Sequence, residues 1–248
     1  MSQIASPQNP RLKALRRLHA KRERTHSGRF LAEGEDLIAA AERAGRHALE
    51  GYRLAGTGLG GARFHDVEAS ALAGASTLGS GTRVIGVYEQ RWTDPLGPLC
   101  VYLHGVADPG NVGTVLRSAE AFGASSVALG PGCADPHSPK AVRASMGAIF
   151  SVALARTGDV SELPGERIAL LAGAGDPLYG PADAAAQAVT LLIGAEREGL
   201  PGDVVAACER TARIPIASES LNAAMAATVA LYEMTRWGGR GIDTVPAS

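Results

Sequence analysis

From residue 99 onward, short apolar runs alternate with segments of helical character, and this alternation limits the fold more than any other feature. The runs are 99–103 (LCVYL), 126–129 (SVAL), 151–155 (SVALA), 168–172 (IALLA), 189–194 (VTLLIG) and 212–216 (ARIPI). Helices are expected over about 111–122, 138–149 and 219–236. Strands that are apolar on consecutive rather than alternate residues are buried on both faces. Separated by helices, they imply a mainly parallel sheet with helices covering it, an α/β fold. No apolar run approaches the roughly 18–20 residues that cross a bilayer, so no membrane span is expected.

The chain before this region is built differently. Asn9-Pro10 is a cap and first-turn proline for a helix running to about Arg24, with Leu12, Leu15 and Leu18 on one apolar stripe. Arg11, Lys13, Arg16, Arg17, Lys21 and Arg24 occupy much of its remaining surface. A strand at Phe30–Ala32 and a helix at 35–44, stopped by Gly45, come next. The glycine-rich stretch 51–61 reads as loop around a weak strand, and 83–88 (RVIGVY) as a better one. The proline- and glycine-containing break 89–98 (EQRWTDPLGP) divides a first domain, 1–88, from a second, 99–240, with 241–248 a frayed tail.

Charge is distributed unevenly between these parts. The whole chain has 24 Lys and Arg against 25 Asp and Glu, but residues 1–30 hold eight basic side chains and one acid, Glu23. A block of +7 against −8 in the rest marks a nucleic-acid or membrane contact. Cys100, Cys133 and Cys208 lie far apart, with no CxxC pair and no His at ligand spacing. No disulfide scaffold and no metal site are therefore expected, which fits a reducing cytoplasm. The opening residues, MSQIASPQNPRLK, have no apolar core of the kind a secretory signal needs.

Three segments at strand ends carry chemistry. DPGNVGTVLRSAEAFG (108–123) leads from a buried strand into a helix, suiting an anion at a helix N-terminus, with Arg117 projecting from the early turns. Its glycines lack the G-x-G-x-x-G spacing of dinucleotide folds. LLIGAEREGLP (191–201) places Gly194, Glu196 and Gly199 at the carboxyl end of the most apolar strand, where open α/β sheets bind ligands. RIPIASESLNAAMAATVALYEMTR (213–236) has Ser218, Glu219 and Ser220 as a capping cluster before an alanine-rich helix. On residue types alone, Ser220 and Asn222 are cap residues.

Taken in order, the three segments resemble motifs 1, 2 and 3 of the SpoU-type (TrmH-like) branch of the SPOUT RNA methyltransferases. Asn111-Val-Gly113 with Arg117 and Ala121-Phe122-Gly123 resembles the first; Gly194-x-Glu196-x-x-Gly199 the second; and Ile214-Pro215 followed by Ser220-Leu221-Asn222 the third. DPHSPKAVRASMGA (135–148) is also similar to the family. NPRLKALRRL and FLAEGEDLI resemble the small RNA-binding domain that precedes many rRNA-directed members. The third motif is short, with four residues between Pro215 and Ser220.

The resemblance implies a parallel sheet threaded into a deep trefoil knot, preceded by a small α/β RNA-substrate-binding domain. It implies S-adenosylmethionine as methyl donor, a ribose 2′-hydroxyl of RNA as acceptor, and a homodimer with the last helix and the first motif near the interface. Gly194, Ile214, Leu221, Leu192 and Ile193 are implied to hold the cofactor. Asn111, Arg117, Glu196, Ser220 and Asn222 are implied to form the catalytic group. Arg117 is the implied activator of the hydroxyl, but a guanidinium with a pKa above about 12 keeps its proton. Its physical role is then to orient the phosphate and stabilise the developing alkoxide. Proton removal is left to water, the phosphate or another side chain. Arg11, Lys13, Arg16, Arg17, Lys21, Lys140 and Arg143 are candidate RNA contacts, the last two sharing a helix face. Ribosomal RNA is the expected substrate; a tRNA methyltransferase and an inactive RNA-binding or ribosome-assembly relative are the alternatives.

Overall fold

The computed structural model describes residues 3–78, 81–178, 188–218 and 220–236. Glu219 of the capping cluster, the end of the second domain and the expected tail fall outside the described residues. The elements in chain order are α1 (Pro10–Arg17), α2 (Lys21–Ser27), β1 (Arg29–Glu33), α3 (Glu35–Arg43), β2 (Glu50–Leu54), β3 (Phe64–Val67), α4 (Ala69–Ala73), β4 (Val84–Glu89), β5 (Leu99–Leu103), α5 (Pro109–Ala121), β6 (Ser126–Leu129), α6 (Pro139–Ala144), β7 (Ala153–Arg156), β8 (Glu166–Leu170), β9 (Asp176–Pro177), β10 (Val189–Ile193), α7 (Gly202–Ala206), β11 (Arg210–Arg213) and α8 (Ala223–Arg236). They divide into two compact units. One runs through Arg91 and adds Asp135–Ser151; the other comprises Trp92–Ala134 and the chain from Val152 on.

The first unit is a four-stranded sheet in the order β1-β4-β2-β3. β4 runs antiparallel to β1 and β2, and β3 parallel to β2. Leu12, Leu15 and Leu18 are buried with Leu31, Tyr52 and Ile85 in one cluster. Each such side chain contributes about 1.5–3 kcal/mol by leaving water. The glycine-rich stretch contains β2, and two of its glycines are steric: a Cβ at Gly51 would lie 2.2 Å from the ring of Phe64, and one at Gly60 2.6 Å. The ring of β3 therefore lies over bare backbone.

The single helix expected to Arg24 is instead two. Ala20 is extended (φ −86°, ψ 132°), and Leu18 N–H turns back to the Leu15 carbonyl at 3.0 Å. The carbonyls freed at the break are satisfied by Arg24, whose Nη1 donates to Leu18 O at 2.8 Å and His19 O at 2.7 Å. Arg24 also pairs with Asp135 and is only 3% exposed, so it belongs to the core and not to the basic surface. The helix expected over 138–149 stops at Ala144, because Met146 (φ 50°) and Gly147 (φ 104°) adopt left-handed backbone conformations. A Cβ at Gly147 would lie 2.4 Å from that of Ala40.

The second unit is a seven-stranded sheet, β7-β6-β5-β10-β8-β11-β9, in which every neighbouring pair is parallel. β10, late in the chain, sits between β5 and β8. Cys100, Tyr102, Ala128, Ala169, Leu192 and Leu200 share one core cluster. α5 packs on α8, where the hydroxyls of Ser118 and Thr228 lie 2.6 Å apart. Among the described residues no helix is long and apolar enough to cross a membrane.

Candidate active site

β10, β8 and β11 are neighbours, and the loops leaving their carboxyl ends converge on one cavity of about 430 Å³. It is lined by residues 170–174 after β8, 193–200 after β10, and Ile214, Ile216, Ser220, Leu221, Ala223 and Ala226 after β11. This is the ligand position of an open α/β sheet, and the volume is that of a small-molecule site. The walls are mainly apolar side chains and glycine backbone, with polar groups confined to residues 196–198 and Ser220.

The sequence after β10 explains the shape of the loop. Ala195 and Gly199 exchange both backbone hydrogen bonds, at 3.2 and 3.0 Å, closing a tight turn with residues 196–198 at its tip. Gly199 is left-handed (φ 67°). A Cβ on Gly194 would lie 2.1 Å from the Gly199 carbonyl carbon and 2.4 Å from Leu200 N, so the returning chain crosses where only glycine leaves room. The spacing Gly194-x-Glu196-x-x-Gly199 thus presents Glu196 from a doubled-back turn.

Glu196 accepts a hydrogen bond from the side-chain amide of Asn111. Asn111 sits in the first turn of α5, where Asp108 caps the helix by accepting from Asn111 N at 3.1 Å. Its Oδ1 accepts from Asn222 Nδ2 at 3.2 Å. Asn222 in turn accepts from Ala224 N at 2.9 Å, capping α8. Three residues expected at the site, 111, 196 and 222, therefore form one chain of hydrogen bonds tying α5, the β10 turn and α8 together. Capping and site-building are both performed by Asn222.

The remaining expected residues, and two histidines near the motifs, take different places. Gly194, Ile193, Ile214, Leu221, Glu196 and Ser220 line the cavity; Leu192 lies behind it, fully buried in the core cluster. Arg117 is exposed on α5, is not among the lining residues, and makes no hydrogen bond or ion pair among the described residues. His104 Nδ1 lies 3.1 Å from the hydroxyl of Tyr102, whose pKa burial pushes up to about 12. His137 is 2% exposed, its ring 4.8 Å from that of Phe30, and is a core residue of the first unit. Lys140 and Arg143 lie on α6 in that unit, where Arg143 Nη1 donates to Thr77 Oγ1 at 3.0 Å. In the basic block, Lys13, Arg17 and Lys21 are exposed. Arg11 is paired with Glu50 at 2.5 Å, and Arg16 donates to Pro7 O at 2.8 Å. Among the described residues no group of three or more His, Cys, Asp or Glu is arranged to hold a metal ion.

Sequence reasoning misses the loop Leu170–Ala174, which lines the cavity; Arg197 and Glu198 are exposed at the tip of the β10 turn and line it as well. A signal is present for the loop: Gly173 follows an apolar strand, the same pattern that marks Gly194.

The site is that of an α/β enzyme with its ligand at the strand carboxyl ends. Residues 98–232 match the model of the SpoU rRNA Methylase family, and residues 9–52 that of the MRM3-like substrate binding domain. The chain belongs to the SpoU rRNA methylase family. It is similar to the 23S rRNA (guanosine(2553)-2'-O)-methyltransferase RlmP of Bacillus subtilis, at 28% identity covering 94% of this chain and 99% of that one. Among solved structures it is similar to an AdoMet-bound rRNA methyltransferase from Sinorhizobium meliloti, with a TM-score of 0.81 at 32% identity over 95% of this chain and 97% of that one. The SpoU methyltransferase AviRb from Streptomyces viridochromogenes, in complex with AdoMet, gives a TM-score of 0.79 at 28% identity over 94% and 100%.

Proposed function

We propose that this protein transfers a methyl group from S-adenosylmethionine to the 2′-hydroxyl of a ribose in ribosomal RNA. The hydrogen-bonded chain Glu196–Asn111–Asn222 beside the glycine-walled cavity carries this reading. The cavity fits the donor. Leu171, Ile193, Ile214 and Leu221 offer an apolar slot for a purine, and bare backbone at Gly173 and Gly194 allows close main-chain approach. When bound, the donor supplies a methyl already activated on a sulfonium.

The protein's own contribution is then alignment and charge. Asn111, fixed from both sides, and Ser220 at the rim position the acceptor ribose. Arg117 holds the adjoining phosphate, lowering the cost of negative charge on the 2′-oxygen. Tyr102, fully buried in the core, is outside the cavity lining. The exposed cations Lys13, Arg17 and Lys21, with Lys140 and Arg143, supply phosphate contacts from the first unit.

A homodimer accompanies this reading. Met225, Val229 and Tyr232 are 62%, 37% and 47% exposed, and at i, i+4 and i+7 they form an apolar stripe along α8 beside α5. Arg117, on α5 and outside its own chain's cavity lining, is free to serve a partner's site. The trefoil knot belongs to the same proposal and is supported by the insertion of β10 between β5 and β8. The working compartment is the cytoplasm, with the RNA.

The test is to incubate the protein with methyl-labelled S-adenosylmethionine and unmodified rRNA, then map 2′-O-methyl groups by mass spectrometry. Methylation of a defined rRNA ribose is expected. Label appearing only in tRNA would reassign the substrate, and cofactor binding without transfer would identify an inactive relative.

A further inference from the structure

We propose that Arg197 binds the carboxylate at the amino-acid end of the methyl donor, so that the tip of the β10 turn reads that part of the ligand. The inference rests on the cofactor reading above. Of the described residues lining the cavity, Arg197 is the one cation; the carboxylates are Glu196 and Glu198. Glu196 is committed to Asn111. Arg197 and Glu198 form no ion pair or hydrogen bond among the described residues, so binding a ligand there breaks no existing pair.

The ligand's charges match what the turn offers. S-Adenosylmethionine has a single anionic group, its α-carboxylate, together with an ammonium and a sulfonium. A guanidinium meets a carboxylate with two parallel N–H donors, a geometry lysine does not reproduce. Glu198 beside it adds the negative charge that suits the ammonium. Elsewhere in the described lining the other side-chain donor is the Ser220 hydroxyl, which gives a carboxylate one neutral hydrogen bond where a guanidinium gives two charged ones. The turn is closed at its base by the Ala195–Gly199 pair, so the backbone bearing Arg197 is already set before the ligand arrives.

Two ligands separate this from other roles. S-Adenosylhomocysteine keeps the amino-acid end, whereas 5′-methylthioadenosine has the same nucleoside thioether without it. Calorimetry on the full chain should show the unsubstituted protein binding both. Arg197→Ala should weaken S-adenosylhomocysteine by at least about tenfold while changing 5′-methylthioadenosine less than about twofold; Arg197→Lys should fall between. Equal losses for both ligands, or none for either, would overturn the proposal. With no loss for either ligand and weaker RNA binding in Arg197→Ala, the residue would be a phosphate contact instead. If the unsubstituted protein binds neither ligand, the cofactor reading itself falls. If it binds both and only the Arg197 substitutions fail to discriminate, that reading stands and this proposal does not.

Discussion

Arg24 and Asp135, 111 positions apart in the chain, meet with two guanidinium nitrogens on one carboxylate oxygen, Nε at 2.9 Å and Nη2 at 2.8 Å. Their side chains are only 4% and 11% exposed. The same guanidinium holds the carbonyls at the α1–α2 break, so one cation serves both ends of the contact. Removing either partner leaves a buried, unpaired charge. Arg24→Ala or Asp135→Ala is expected to cost about 3–5 kcal/mol, read as a lowered urea midpoint. A change below about 1 kcal/mol would show that the pair is not structural.

Gly194→Ala tests the doubled-back turn. The added methyl has no space beside Gly199 and Leu200, so the turn must open. Overpacking of this kind costs about 1–3 kcal/mol. Because the same turn walls the cavity, S-adenosylhomocysteine affinity should fall at least about tenfold in calorimetry. Unchanged affinity would mean that the turn is not part of the binding site.

Asn111 is expected to be more sensitive to charge than to size. Asn111→Ala removes the donor to Glu196 and the acceptor for Asn222. Asn111→Asp is nearly isosteric but sets a second carboxylate against Glu196, and like charges at this range repel. Methyl transfer to rRNA should therefore drop further in Asn111→Asp than in Asn111→Ala, with losses of about a hundredfold for displaced reacting groups. The reverse order would remove the case for the Glu196–Asn111 contact.

RNA affinity should be read against salt. Deleting a cation that neutralises one phosphate lowers the slope of log K against log salt by about 0.7–0.9. Substituting Lys13, Arg17 and Lys21 together by Ala should flatten the slope by about 2–3. Arg11→Ala should change it little, since Glu50 already neutralises that guanidinium. Equal effects in a filter-binding series would reject this division of the basic block.

Glu209 supplies a pH test away from the site. Its carboxyl is lowered from 4.5 to about 2, chiefly by side-chain bonds from Arg167 and then by Arg167 N–H, which donates at 2.8 Å. A folded pKa below the unfolded one gives stability that is present above the unfolded value and lost as pH falls through the folded one. The difference in Tm between the unsubstituted protein and Glu209→Gln should therefore shrink between about pH 4.5 and 2. The side chain is 46% exposed, so the whole effect should stay below about 1 kcal/mol.

The parallel sheet was legible because its strands are apolar on consecutive residues, and the candidate site because Gly194 and Glu196 follow a strand end and Asn111 opens a helix. What was hidden depends on partners distant in the chain. The break after Arg17 is stabilised by Arg24, whose own partner is Asp135, and no local pattern reveals that. β3 has only Phe64 and Val67 buried, and its signal was the missing side chain at Gly51 rather than anything in its own residues. Sequence spacing likewise does not tell which loops share a cavity with Arg197.

The position of β10 also sets a constraint on biosynthesis. β5 and β8 leave the ribosome well before it, yet each owes one of its two edges to β10. Until residues 189–193 are synthesised, β5 has one unpaired edge and β8, whose other neighbour β11 comes later still, has two. A nascent or truncated chain ending before Val189 exposes these edges to neighbouring polypeptides. Safe assembly of this protein therefore turns on how quickly its last quarter is delivered.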